Sequence, residues 1–302
     1  MGDIFHHVRD ANSFELPGFN HWPKHGLPQF NIPGYGDFQV TKFMLLQVLA
    51  GLIVLLIFRG LAKRAQSGEA IRGRFWNFWE FLALFVRDEV VRPAIGDGSH
   101  DDHGHGDHGH EESHGDHSAL ADTGSHPADR YVPFIWSCFF YILICNLLGA
   151  IPFLGSATGS ISVTLALAIC AFAYVVRCGS EQMGFAGFWL AQCPHLDIPP
   201  FMKIGLVPLI WSIEVLGMFI KHGVLAIRLF ANMMGGHTVL GTLLAFIAVA
   251  ADSSTGIYAL VSVSSVLGQV AVGMLELLVA FIQAYIFAFL TSLFVGMALH
   301  PH

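Results

Sequence analysis

Long apolar runs, broken by short polar or charged stretches, set the pattern of this chain. Residues 1–40 are rich in Pro, Gly, His and Phe, hold no sustained period, and read as an irregular, partly apolar leader. Thr41–Phe58, 18 residues with Gln47 inside it, is just long enough to cross a bilayer. Arg59, Lys63, Arg64, Arg72 and Arg74 follow, against Glu69 alone. That bias predicts a cytoplasmic flank over 59–96 and an N-terminal leader outside the cytoplasm. Within the flank, Phe75, Trp76, Phe78, Trp79, Phe81 and Phe85 give way to Arg87, Asp88 and Glu89, which suits an amphipathic helix lying in the membrane interface.

Residues 97–128 are low-complexity, with histidines and acids interleaved among small residues, so a disordered cytoplasmic loop is expected there. Two apolar stretches, Tyr131–Leu154 and Ile161–Val176, are joined by an uncharged Gly/Ser/Thr turn and predict a helical hairpin over 129–177. A mixed connecting segment, 178–203, ends near Pro199-Pro200. The last part, 204–302, holds apolar segments of 47 residues (Ile204–Ala250) and 44 residues (Gly256–Leu299). As continuous helices each would run to roughly 65–70 Å, against a hydrocarbon core about 30 Å thick. They are therefore either broken or steeply tilted, and tilt of that size needs a protein surface to support it. The expected fold class is an all-α integral membrane protein with about five main membrane helices. Two of these are long and inclined, an interfacial helix is added, and the C-terminus lies in the cytoplasm.

Composition sharpens this picture. Hydrophobic residues make up 54% of the chain and charged residues only 12%. The formal charge of −7 is dominated by Asp97–His126, which carries eight acids and no Lys or Arg, so the remainder is near neutral. No basic patch argues for nucleic acid. The five cysteines lie in or beside apolar runs without metal-ligand spacing, and no metal or other cofactor is expected. The first apolar run begins only at about Phe43, so no cleavable signal is expected. With no transit peptide evident either, a bacterial inner (plasma) membrane is favoured. No Gly-x-x-x-x-Gly-Lys-Ser/Thr run is present, so the chain is not expected to be catalytic by itself.

Polar residues inside the apolar runs carry the chemistry. Arg228 sits in the middle of one, and a guanidinium at membrane depth costs about 2.5–3.5 kcal/mol or more. A charge held at that cost pairs with a carboxylate or guards an ion path. Glu214, Lys221, Asn232 and His237 lie along the same segment; Gln269, Glu276 and Gln283 lie along the next. Arg228 and Asn232 are four residues apart, Glu276 and Gln283 seven, so each pair shares a helix face. Acids, imidazole and amides strung along paired helices are the parts of a proton wire. Gln269 and Asn146 are read as interhelical hydrogen-bonding groups rather than proton carriers.

The run Arg228-Leu229-Phe230-Ala231-Asn232-Met233-Met234-Gly235-Gly236-His237 resembles the signature of subunit a of F-type ATP synthases. So does Leu275-Glu276-Leu277-Leu278-Val279-Ala280-Phe281-Ile282-Gln283, and Asn146-Leu147-Leu148-Gly149-Ala150-Ile151-Pro152 is similar to a third family element. The resemblance implies the stator of a rotary proton motor, packed against a ring of c subunits that each carry a membrane carboxylate. It implies subunit b of the peripheral stalk, the remaining ATP synthase subunits and the lipid bilayer as further partners. Arg228 would face the ring carboxylate and separate two offset water channels. Asn232, His237, Glu276 and Gln283 would line the outer channel, and Glu214 the exit to the cytoplasm. Many relatives carry a carboxylate at the position of His237 and a histidine at that of Glu276; here the pair is exchanged, with the chemical inventory unchanged.

The rival expectation is a secondary transporter for a divalent metal, with the histidine-rich loop as sensor or donor. It would need His and acid ligands one turn apart in the spans, and neither His222 nor His237 has an acid four residues away.

Overall fold

A computed structural model describes residues 14–16, 19–22, 29–32, 36–66, 73–95, 126–151, 155–192, 200–251 and 254–299. The histidine-rich loop lies outside the described residues, as does most of the leader before residue 29.

Helices dominate. α1 spans Lys42–Ala65, α2 Arg74–Phe85, α3 Arg92–Ile95, α4 Val132–Gly149, α5 Ile161–Met183, α6 Phe185–Ala191, α7 Pro200–Ala250 and α8 Thr255–Leu299. Five of these, α1, α4, α5, α7 from Gly205, and α8, are long and apolar enough to cross a membrane. The protein is thus an all-α multi-pass membrane protein.

The leader departs from the irregular chain expected of it. It contains two short antiparallel hairpins, β1 (Phe14–Leu16) with β2 (Phe19–Trp22), and β3 (Gln29–Ile32) with β4 (Gly36–Gln39). Strands of three or four residues are too short to register as a period in the sequence.

α1 runs seven residues beyond the apolar stretch, through Arg59, Lys63 and Arg64. Hydropathy marks where a bilayer would end, not where backbone hydrogen bonding ends. Arg64 lies over the Trp76 ring at 3.9 Å, fastening the start of α2 to the end of α1. From there the amphipathic segment crosses several spans in succession. Trp79 meets Phe140 of α4, the Trp136 indole N–H donates to the Ala83 carbonyl at 2.8 Å, and Phe85 meets Tyr285 of α8. A π-helical stretch, Val86–Val91, then turns Val86, Val90 and Val91 fully into the core. Ala94 finally lies against Gly296 of α8, so closely that a Cβ there would strike its carbonyl.

The core gathers around α4, the most enclosed span, with Ile135, Phe139, Phe140, Ile142 and Leu143 all buried. α8 packs along it with Ala284, Phe287, Ala288 and Val295. α7 is the opposite case: it is one unbroken helix of 51 residues with Pro208 inside it, and little of its surface is covered. It lies on the outside of the bundle, paired with α8 and α5. Charged side chains collect at one end. Arg92 pairs with Asp129, and Arg130 and Arg177 both pair with Glu181.

Candidate functional site

α7 and α8 run antiparallel, and Asn232, His237, Glu276 and Gln283 meet along their seam. Asn232 Nδ2 donates to Gln283 Oε1 at 2.7 Å. One turn further along α7, His237 Nε2 stands 3.9 Å from Glu276 Oε1, too long for a direct hydrogen bond and within ion-pair range. Glu276 is 7% exposed and Gln283 2%, so both polar groups are held inside the helix pair.

Gly236 makes this possible. A Cβ there would lie 2.9 Å from Glu276 Oε1, so any larger residue displaces the carboxylate from its place against α7. Asn232, Met233, Gly236, Val272, Leu275, Glu276 and Val279 line a cleft of about 160 Å³. That is room for several waters beside the carboxylate.

Arg228 lies one turn before Asn232 and is exposed on α7. Among the described residues, no carboxylate oxygen approaches its guanidinium within 4.0 Å. Around it α7 presents Ile220, Val224 and Ile227, all exposed, so the charge sits in an apolar outer face.

Glu214 is elsewhere. It lies about 21 Å before Arg228 along α7, with Lys221 Nζ 3.9 Å from its Oε1. It shares a second cleft, about 70 Å³, with Val175, Phe188, Gln192, Met218, Lys221, Phe294, Met297 and Ala298. No residue lines both clefts. The structure therefore brings Asn232, His237, Glu276 and Gln283 together, sets Glu214 apart, and leaves Arg228 between the two groups.

Sequence reasoning misses two features of the surroundings. One is the close approach at Gly236; the small pair Gly235-Gly236 on an apolar helix is the signal that could have found it. The other is a buried hydroxyl chain beside the seam. Thr158 Oγ1 donates to Asn146 Oδ1 at 2.9 Å and also contacts Ser156 Oγ at 2.9 Å, from a 3₁₀ turn rather than a facing helix. Ser156 stands next to Gly149, where an added Cβ would also meet Met233 of α7. His222 is buried too; its Nδ1 contacts the Met218 carbonyl at 2.9 Å and its ring lies between Phe172 and Phe294.

A bundle of helices long and apolar enough to cross a membrane, with Arg228 on its outer face between two clefts that each hold a carboxylate, defines a multi-pass membrane protein built around ionisable groups at depth. Comparison with known proteins gives the family. The family model described as ATP synthase A chain matches residues 116–296. ATP synthase subunit a of Chloroherpeton thalassium is 35% identical over 98% of this chain and 76% of its own length. ATP synthase subunit a of Myxococcus xanthus is 34% identical over 88% of this chain and 76% of its own. ATP synthase subunit a 2 of Chlorobaculum tepidum is 30% identical over 98% and 72%. This chain belongs to the ATP synthase subunit a family.

Proposed function

We propose that this chain is the proton-conducting stator of a rotary F-type ATP synthase, with two offset half-paths kept apart by Arg228. Family membership makes it a component of the proton-translocating membrane sector of an ATP synthase. It contributes a path for protons, while ATP chemistry belongs to other subunits. Its partners are a ring of c subunits, subunit b of the peripheral stalk and the remaining subunits of the complex.

The observation that carries the reading is the placement of Arg228. It is exposed, unpaired with any described carboxylate, and stands between a cleft that holds Glu276 and a cleft that holds Glu214. A permanent positive charge repels a proton that would pass directly from one cleft to the other. It attracts a carboxylate presented by a neighbouring subunit and favours its ionised form. A ring carboxylate must then take a proton from one cleft, leave the arginine, and return by way of lipid before it releases that proton to the other. Proton flow is thereby tied to rotation.

In this scheme Glu276 and His237 exchange protons with water in the outer cleft, Asn232 and Gln283 fix the spacing of the two helices, and Glu214 receives protons on the cytoplasmic side. Arg59, Lys63 and Arg64 at the C-terminal end of α1 support an orientation with the N-terminus outside and the C-terminus in the cytoplasm.

Thiol access tests the two-cleft arrangement. Met218→Cys and Val272→Cys, each in a complex whose native cysteines are replaced, are treated with a membrane-impermeant thiol reagent from either face. Reaction of Cys at 218 only from the cytoplasmic face, and at 272 only from the outer face, is the expected result. Reaction of both from one face contradicts the reading.

A further inference from the structure

Four residues on α8 share a property: Ser262, Gln269, Glu276 and Gln283 each hold a buried polar atom with no hydrogen-bond partner among the described residues. They are spaced by seven throughout. Seven residues are two turns less about 20°, so all four lie on one slowly drifting stripe. From first to last the stripe covers about 31 Å, close to the thickness of the hydrocarbon core. Ser265, 4% exposed, falls on the same stripe between the first two.

Buried polar atoms without a protein partner carry a desolvation cost of about 1–3 kcal/mol each. One such atom is ordinary; four in a single row are explained by a common partner, which is water. Clefts on this seam support that assignment. Beside Glu276 is the cleft of about 160 Å³. Toward the α7–α8 turn is a larger one, about 450 Å³, lined by Leu243, Phe246, Val249, Ala250, Ile257, Val261, Ser264 and Ser265. Gln269 lies between the two. At its level the helices close up, since a Cβ on Gly268 would meet Leu243 Cδ1 at 3.4 Å.

We infer that the large cleft at the α7–α8 turn is the mouth of the outer proton path, and that Gln269 bridges it to Glu276 by holding a file of water through the constriction at Leu243. Gln269 does not titrate and carries no proton itself. It is a positioning residue: its amide both donates and accepts, so it orders neighbouring waters without trapping a charge. Ser264 and Ser265 give the otherwise apolar wall of the mouth its hydroxyls. The interhelical hydrogen bond expected of Gln269 from the sequence is replaced by this role, as its Nε2 meets no side chain or carbonyl among the described residues. The inference rests on the reading of Glu276 and Arg228 as members of the proton path.

The test uses the whole ATP synthase in proteoliposomes under an imposed proton gradient. Gln269→Leu removes the amide at similar volume, and Gln269→Asn restores one. Gln269→Leu is expected to lower the rate of gradient-driven ATP synthesis roughly five- to tenfold, the rate equivalent of losing about one hydrogen bond. The solvent deuterium isotope effect is expected to rise, and Gln269→Asn to recover most of the rate with a native isotope effect. A purely structural role would lower the yield of assembled complex without moving the isotope effect. Should Gln269→Leu fail to assemble, Val261→Cys in a cysteine-free background gives a second measure: a bulky impermeant thiol reagent added from the outer face should block synthesis. Native rates and isotope effect in Gln269→Leu, or full synthesis with Cys at 261 modified, overturn the inference. If Arg228→Ala still abolishes pumping, only this inference falls; if Arg228→Ala pumps normally, the underlying reading falls with it.

Discussion

Asn232 Nδ2 donates to Gln283 Oε1 at 2.7 Å, a cross-helix bond one turn beyond Arg228. It ties α7 to α8 at one point of their shared seam, in the register that helix packing sets. Measured side-chain bonds between membrane helices are worth about 0.6 kcal/mol on average, so its value lies in placement more than in stability.

Replacing either amide should therefore disturb proton transport more than folding. Asn232→Leu and Gln283→Leu are each expected to lower ATP-driven pumping several-fold while the complex assembles in normal amount. The double variant should be little worse than either single one, because one bond is lost in all three. Pumping assays on the four members of the cycle, at matched complex content, check this.

Gly236 separates stability from function in the opposite sense. Gly236→Ala gains helix propensity, about 1 kcal/mol, yet its Cβ would press on Glu276 Oε1 at 2.9 Å. Thermal unfolding of the complex should be unchanged or slightly raised, and proton pumping should fall. Gly235→Ala, where nothing lies within 4 Å of an added Cβ, is the control and should pump normally.

His237 and Glu276 face each other across the seam at 3.9 Å. The exchanged double variant, His237→Glu with Glu276→His, keeps one carboxylate and one imidazole in the same cleft. It is expected to retain a substantial part of native pumping. Glu276→Gln alone, which leaves the imidazole without an acid, should lose most of it. A double variant no better than Glu276→Gln would show that position, not inventory, governs the pair.

Outside the spans, Asp129 accepts two hydrogen bonds from Arg92, at 3.1 and 3.0 Å. Hydrogen bonding to that guanidinium, with its charge, holds the Asp129 carboxyl below the ordinary carboxylate range, against a smaller opposing effect of burial. A depressed native value stabilises the fold above the unfolded-state range near 4, and the contribution disappears as pH falls through the native value. Both groups are about one-third exposed, so solvent screening limits it to the order of 1 kcal/mol. Asp129→Asn should speed amide exchange in residues 86–95 at neutral pH, with the difference vanishing in strong acid.

Much of the fold is legible in the sequence because it depends on local quantities. Length and hydropathy mark the five helices able to cross a membrane, and the mixture of Trp and Phe with Arg87, Asp88 and Glu89 marks the amphipathic one. The extension of α1 to Ala65 is not legible, since Arg59, Lys63 and Arg64 end the apolar run without breaking the helix. Nor are the hairpins at Phe14–Trp22 and Gln29–Gln39, whose strands are too short for periodicity. At the site, the residue types and the shared face of Arg228 and Asn232 can be read directly. Which residue of α7 meets which of α8 cannot, because 51 positions separate Asn232 from Gln283 and only packing sets their register. The same holds for Gly236, whose importance is visible only once Glu276 lies over it.

The claim that Arg228 keeps two proton half-paths apart is tested most directly by Arg228→Ala. Inverted membrane vesicles carrying the variant complex are assayed for ATP-driven proton pumping, and for passive proton leak with and without a reagent that blocks the ring carboxylate. Pumping should be abolished, with any leak suppressed by that reagent. Pumping at the native rate would contradict the account.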